Sequence, residues 1–310
     1  MADDNTLRGL YLTACRRLEA MGVENARHEA TLLCMHCFGI SGRLDITTRG
    51  GETMSAESVE KFIECTEQRT FRPLQYIMGT WEFCGMELSV GEGVLIPRDD
   101  TTALVETVCG FGADIAEPRI LDLCAGSGAV GLACARALPG STAVCVELSE
   151  LALPYLEENV RRFGSGRVFV HKADVLEAPG MPFYRERLKL SNGSLAEHKR
   201  PEAPDAIFTR FDIICSNPPY IRTEDIAGLS REVQQEPRMA LDGGEDGCVF
   251  YRAIAERWSR LLHSGGMLAF EIGAGMENAV AKILEENGYV HIGTKNDMQG
   301  IIRTVYGTKC

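Results

Sequence analysis

Asp122-Leu-Cys-Ala-Gly126-Ser-Gly128-Ala-Val-Gly131 runs from the end of a β-branched stretch into a helical one. Gly126, Gly128 and Gly131 satisfy the spacing G-x-G-x-x-G. Glu147 stands at the end of the next predicted strand, where a ribose-binding carboxylate belongs. Glycines in this turn let the chain reverse tightly and let a ligand approach the backbone closely. An ordinary tight turn would need neither the spacing nor the carboxylate.

Working outward from that turn, short apolar runs alternate with helical stretches. The predicted strands are Ile120 to Leu123, Thr142 to Val146, Val168 to Lys172, Phe211 to Ser216 and Met267 to Ile272. Such alternation is the signature of an α/β fold with a doubly wound, mostly parallel sheet. Tyr289 to Gly307 reads as two strands around a turn near Met298 to Gly300, an antiparallel pair at the sheet edge. Residues 177–209 break the rhythm with four prolines and an S-N-G-S sequence, and read as an insertion loop.

Before the sheet the character differs. Residues 1–72 read as a small helical domain, with apolar spacing of three and four over Leu7 to Met21, Ala26 to Phe38 and Ser55 to Thr70. Residues 73–98 read as a β-hairpin linker, with alternating stretches Gln75 to Ile77, Trp81 to Cys84 and Glu87 to Val90 broken by glycines. A helix opens at about Thr101, and residues 99–310 form the sheet domain. Cys34 and Cys37 make a C-x-x-C on a helix, but no second such pair completes a tetrahedral set. Buried packing is favoured there and no metal is expected.

Composition bounds the function class. The 310 residues are 45% apolar and 25% charged, enough for a proper core and consistent with two domains. No run approaches the roughly 18 apolar residues of a membrane span, and the first residues lack the layout of a signal peptide. Twelve cysteines, often inside apolar runs, suit a reducing compartment, so the cytoplasm is expected. The formal charge of −12 argues against a nucleic-acid substrate, because such partners are usually held by neutralising phosphates.

The glycine turn would serve NAD or S-adenosyl-L-methionine, and neighbouring charges choose between them. Asp122 would repel a pyrophosphate and attract the cationic ammonium group of S-adenosylmethionine. Glu147 would hold the ribose hydroxyls, and Asp174, after the third strand, would accept from the adenine amino group. Each carboxylate alone could be a solvated loop charge. Their recurrence after three successive strands is where ligands bind in such sheets.

After the fourth strand stands Ser216-Asn217-Pro218-Pro219-Tyr220. Two prolines fix two φ values and remove two amide donors, which leaves a rigid pocket of acceptors. The Asn217 oxygen and the Pro218 carbonyl would take the two hydrogens of a planar NH2 group, and Tyr220 would offer a face against which it packs. Orientation of this kind contributes roughly 7 to 11 kcal/mol where alignment is good.

Asn217-Pro-Pro-Tyr220 behind such a glycine turn looks like the amino methyltransferases. Phe71-Arg-Pro-Leu-Gln-Tyr-Ile-Met-Gly79, Leu95-Ile-Pro-Arg-Asp-Asp-Thr101, Glu236-Pro-Arg-Met-Ala-Leu-Asp-Gly-Gly-Glu-Asp-Gly247 and Phe270-Glu-Ile-Gly273 narrow the resemblance to the PrmC/HemK family of release-factor glutamine methyltransferases. The resemblance implies a five-helix N-terminal domain that recognises the substrate, a β-hairpin linker and a Rossmann-like class I S-adenosylmethionine-dependent domain with a seven-stranded sheet. It implies methyl transfer to the glutamine amide nitrogen (N5) in the Gly-Gly-Gln motif of class 1 peptide chain release factors, with S-adenosyl-L-homocysteine as product. By the same resemblance Asp122, Leu123, Cys124, Ala125, Gly126, Gly128, Glu147, Asp174, Val175 and Asn217 hold the cofactor, and Asn217, Pro218, Pro219 and Tyr220 clamp the substrate. Asn217, Pro218 and Tyr220 carry the catalysis.

Against the usual family pattern, Cys124 and Ala125 replace a glycine and a threonine, Glu147 an aspartate, Val175 an aromatic residue and Asp99 a proline. Two other acceptors remain on the same logic. One is a glutamine of a ribosomal protein, which Asp99-Asp-Thr101 and the N-terminal segment disfavour. The other is a nucleic-acid amino group such as adenine N6, disfavoured by the acidity of both halves of the chain.

Overall fold

A computed structural model describes residues 5–179 and 210–310, so most of the expected insertion at 177–209 lies outside the described residues. Contacts divide the chain into two units. One comprises residues up to Gly79 together with Arg231–Gln235, and the other Thr80–Ser230 with Glu236–Cys310.

Among its described residues the first unit has five α-helices: α1 (Leu7–Ala20), α2 (Ala26–Phe38), α3 (Arg43–Thr48), α4 (Ala56–Gln68) and α5 (Leu74–Met78). Thr6 and Ser55 start α1 and α4 by accepting backbone N–H bonds from Gly9 and Ser58, each satisfying a donor the helix itself leaves open. The apolar faces meet around Leu7, Leu18, Leu33, Cys34 and Phe62. Burial pushes the thiols of Cys34 and Cys37 up to about 12. Gln75 to Ile77, expected as extended chain, is helical instead. Pro73 supplies a fixed φ at the start of α5, and Gly79 at φ 74° ends it in the left-handed region. Arg69, only 3% exposed, bridges Glu29 and Glu232, the latter at 2.6 Å, and so ties the 231–235 segment to the helices.

The second unit begins with a hairpin, β1 (Thr80–Phe83) and β2 (Met86–Ser89). Its two-residue turn, Cys84-Gly85, has φ of 48° and 73°, the positive pair that matches the twist of the flanking strands. The remaining strands are β3 (Arg119–Leu123), β4 (Thr142–Glu147), β5 (Val168–Lys172), β6 (Phe211–Ser216), β7 (Leu262–Glu271), β8 (Tyr289–Asn296) and β9 (Ile302–Lys309). They form one seven-stranded sheet in the order β5-β4-β3-β6-β7-β9-β8. The first five are parallel to one another and β9 is antiparallel to both β7 and β8. β7 starts at Leu262, earlier than the expected Met267: Phe211 pairs with Leu262 and Ile213 with Met267, so the extra residues of the irregularity lie on β7.

Both faces of the sheet are covered, which is why the strands read as continuous apolar runs. Ile120, Cys145, Val170 and Cys215 point to α6 (Thr102–Gly112), α7 (Ala129–Ala137) and α8 (Leu153–Phe163). Leu121, Leu123, Val146 and Phe270 point the other way, to α10 (Val249–Ala253), the helical turns through Trp258, and α11 (Glu277–Glu286). A further short helix, α9 (Arg238–Leu241), precedes α10. No helix among the described residues is long and apolar enough to cross a membrane.

Candidate active site

The strand order reverses at β3: β4 and β5 lie on one side of it, β6 and β7 on the other. Loops leaving adjacent strands in opposite directions open a crevice at their carboxyl ends, and a cavity of about 480 Å³ lies there. Leu123 and Ser216 are register partners on β3 and β6, and the buried Ser216 hydroxyl donates to the Leu123 carbonyl at 2.6 Å. The glycine turn and Asn217 therefore open into the same cavity although 91 residues separate Gly126 from Asn217.

Within the turn, Cys124 stands at φ 58° and Gly126 and Gly128 at 56° and 83°. Gly128 caps α7 in the left-handed region. Gly131 has no such φ; its constraint is contact. A methyl group there would sit 2.6 Å from Cys145 Sγ and 3.0 Å from Asp122 Oδ2. Helix and sheet approach this closely because the Gly131 N–H donates to Asp122 Oδ2 at 2.8 Å. Asp122 borders the cavity but is 1% exposed, and burial raises its carboxyl to about 7 against the lowering effect of the Gly131 bond. Its side chain thus anchors the turn onto α7, on the face of the sheet that carries α6, α7 and α8.

Glu147 binds backbone on both oxygens. Oε2 accepts from Gly126 N–H at 2.8 Å, and Oε1 from Leu148 and Ser149 N–H at 2.8 and 2.7 Å. It fastens the glycine turn to the loop after β4. Asp174 accepts from Leu176 N–H through Oδ1 at 2.8 Å, and the adjoining Val175 carbonyl takes the indole N–H of buried Trp258 at 2.9 Å. Asp122, Cys124, Ala125, Gly126, Glu147, Asp174, Val175, Asn217 and Pro219 all border the cavity. Leu123, Gly128, Pro218 and Tyr220 do not lie in its wall. Leu123 is fully buried, and burial pushes the Tyr220 phenol up to about 12. The Tyr220 ring packs against Gly273, where an added methyl would meet Cδ2 at 3.2 Å.

Four further residues shape this wall. Glu236, 5% exposed, accepts from Ile96 N–H at 3.0 Å and pairs with Arg98, which holds the Leu95–Arg98 stretch against the 236–244 segment. Asn159, fully buried, accepts from Ser89 N–H at 2.6 Å and donates to the Ser127 carbonyl at 3.0 Å, bracing the turn against β2. Thr101 Oγ1 lies 3.4 Å from Asn217 Nδ2, and Glu271 stands buried at the end of β7. The signal for Asn159 is present in the sequence: a polar residue three positions after Leu156, beside Val160, on the apolar face of α8. Thr101, Glu236 and Glu271 lie inside motifs that carry the family resemblance, but their partners are far away in sequence, so no local spacing assigned them a role.

Comparison with known proteins places this architecture. The family described as PrmC N-terminal domain matches residues 10–79, and that described as Conserved hypothetical protein 95 matches residues 106–180. A release factor glutamine methyltransferase of Geobacter sulfurreducens is 36% identical over 292 residues, 94% of this chain and 92% of its own. One of Clostridium acetobutylicum is 33% identical over 269 residues, 86% of each chain. Among solved structures, the hMettl16 catalytic domain in complex with MAT2A 3'UTR hairpin 6 shares 12% identity over 81% of each chain with a TM-score of 0.50, a likeness of fold alone. Similarity at this level, running through the helical unit and the sheet alike, means that the chain belongs to the release factor glutamine methyltransferase family.

Proposed function

We propose that the chain transfers the methyl group of S-adenosyl-L-methionine to the side-chain amide nitrogen of the glutamine in the Gly-Gly-Gln motif of class 1 peptide chain release factors, in the cytoplasm. The observation that carries the reading is the register of Leu123 with Ser216, which puts the Asn217 side chain and the glycine turn in one cavity. Family membership supports the acceptor.

The residues fit the cofactor by the chemistry of their donor and acceptor sets. Asp174 commits Oδ1 to the backbone, and among the described residues no hydrogen bond takes Oδ2, which suits an amino group. Each Glu147 oxygen has capacity beyond its backbone bonds for ribose hydroxyls. When bound, the cofactor supplies an electrophilic methyl on a sulfonium. Asn217 accepts one amide hydrogen of the substrate and the Pro218 carbonyl the other, which turns the nitrogen toward that methyl and weakens its conjugation with the glutamine carbonyl. The proton leaves after methylation, so no strong base is required in the wall.

The helical unit is assigned to hold the release factor, and cross-linking of the complex should place the partner on it. The activity itself is tested by methyl transfer from labelled cofactor to a class 1 release factor, beside its Gly-Gly-Ala variant, a ribosomal protein and duplex DNA. Label on the Gly-Gly-Gln protein alone is expected. Label on DNA or the ribosomal protein would replace the acceptor.

A further inference from the structure

A side-chain amide is nearly symmetric in shape: turned by 180°, Asn217 would offer its NH2 where its oxygen is needed, and the NH2 of a glutamine would meet donor against donor. Something in the surroundings has to choose. Thr101 lies on the Asn217 nitrogen at 3.4 Å, but a hydroxyl both donates and accepts, so Thr101 alone fits either orientation.

The choice is made one group further on. Glu271 ends β7 with 3% exposure, one residue after Phe270, the register partner of Ser216, so it stands beside Asn217 at the carboxyl ends of β6 and β7, and the side chains of Thr101 and Asn217 both act to lower its carboxyl. Among the described residues its Oε2 is buried without a hydrogen-bond partner, a costly arrangement. An ionised carboxylate only accepts. If the Thr101 proton is directed to Glu271, the Thr101 oxygen can only accept from Asn217, and the asparagine must turn its NH2 inward and its oxygen to the cavity.

We propose that Glu271 is a positioning residue, whose acceptor-only carboxylate polarises the series Glu271, Thr101, Asn217 so that Asn217 presents oxygen to the substrate amide. The proposal rests on the functional reading above for what the oxygen receives, and on the strand register and the Thr101–Asn217 contact for which way it points. Burial raises the Glu271 carboxyl to about 7, with Asp100 adding to the rise and Thr101, Arg303 and Asn217 opposing it. The other titratable groups facing it are Tyr220, after β6, and Tyr251, on α10. Protonated, Glu271 can donate and the polarity is lost.

Two measurements separate the proposal from the functional reading. The first follows the side-chain NH2 resonances of Asn217 by ¹⁵N NMR of the intact protein. They should shift with a midpoint near pH 7 in the wild type and stop shifting in Glu271→Gln. The second is methyl transfer at saturating cofactor. The wild-type kcat should fall on the acid side with the same midpoint. In Glu271→Gln that limb should vanish and kcat should drop roughly tenfold, the effect of about one hydrogen bond, with cofactor Kd little changed and Tm at neutral pH not lowered, since a neutral amide replaces a buried carboxylate. Thr101→Val should give the same loss, and the double variant no further loss, because both act on one series. An Asn217 signal that ignores pH, or a Glu271→Gln enzyme with the wild-type profile, overturns the proposal. Loss of activity in step with Tm and cofactor binding overturns it equally, by making the role structural. A wild type that titrates as described but fails to label a release factor keeps Glu271 as the positioning residue and removes the functional reading instead.

Discussion

Replacing Gly131 with alanine tests how the glycine turn is seated. The added methyl would stand 2.6 Å from Cys145 Sγ and 3.0 Å from Asp122 Oδ2, so helix and strand must separate by nearly 1 Å or the Cys145 side chain must turn within a fully buried site. Overpacking of this kind costs about 1–3 kcal/mol. Against it, alanine in a helix interior is favoured over glycine by roughly 0.8–1 kcal/mol. The net loss should therefore be up to about 2 kcal/mol, or up to roughly 8 °C in Tm for a unit of this size. Displacement of α7 also lengthens the bond from Gly131 N–H to Asp122, so cofactor Kd should rise. Thermal unfolding followed by circular dichroism and titration calorimetry with S-adenosylmethionine give the two readouts. Cys145→Ala in the same chain removes the nearer obstacle and should recover at least about 1 kcal/mol relative to the sum of the single changes. A Gly131→Ala protein more stable than the wild type, or strict additivity with Cys145→Ala, would refute the account of why glycine stands there.

Three other outcomes are expected. Asp122 and Glu271 both hold carboxyls raised to about 7 from ordinary values of 3.8 and 4.5. Between those limits the native state binds more protons than the unfolded chain, so ligand-free stability should fall as pH rises from about 4 to 7, then level off; Asp122→Asn should flatten that slope, and an unchanged slope would remove Asp122 from it. Glu236→Ala strips the buried Ile96 N–H of its acceptor and should cost about 1–3 kcal/mol in denaturant unfolding, the half-exposed Arg98 adding little. Glu236→Gln keeps an acceptor and should cost less, so equal losses would contradict the assignment. Asn217→Ala should reduce kcat on the order of 10²- to 10³-fold, as for a lost transition-state contact, with cofactor Kd nearly unchanged by calorimetry; parallel loss of both would show that Asn217 serves the cofactor.

The strands, the edge pair and the helical N-terminal unit were legible because each is a local pattern. Val168 to Lys172 and Phe211 to Ser216 are found where their composition put them, since strands covered on both faces must be apolar throughout. Gln75 to Ile77 misled because three residues carry too little periodicity, and its helix is fixed by Pro73 and Gly79 at the ends. Among the site residues, Glu147 and Asp174 could be placed by position after a strand, yet both were already engaged with nearby backbone N–H groups.

The sequence by itself determined the alternation of strand and helix, the glycine turn and the Asn217-Pro-Pro-Tyr220 segment, all matters of spacing within about ten residues. Only the tertiary structure decided that β6 lies beside β3, that Glu236 reaches Ile96 across 140 residues, and that Glu271 stands behind Thr101 and Asn217. Spacing and backbone preference act along the chain. A buried carboxylate takes its role from whatever donors the fold brings within about 3 Å of it, and those donors belong to other elements.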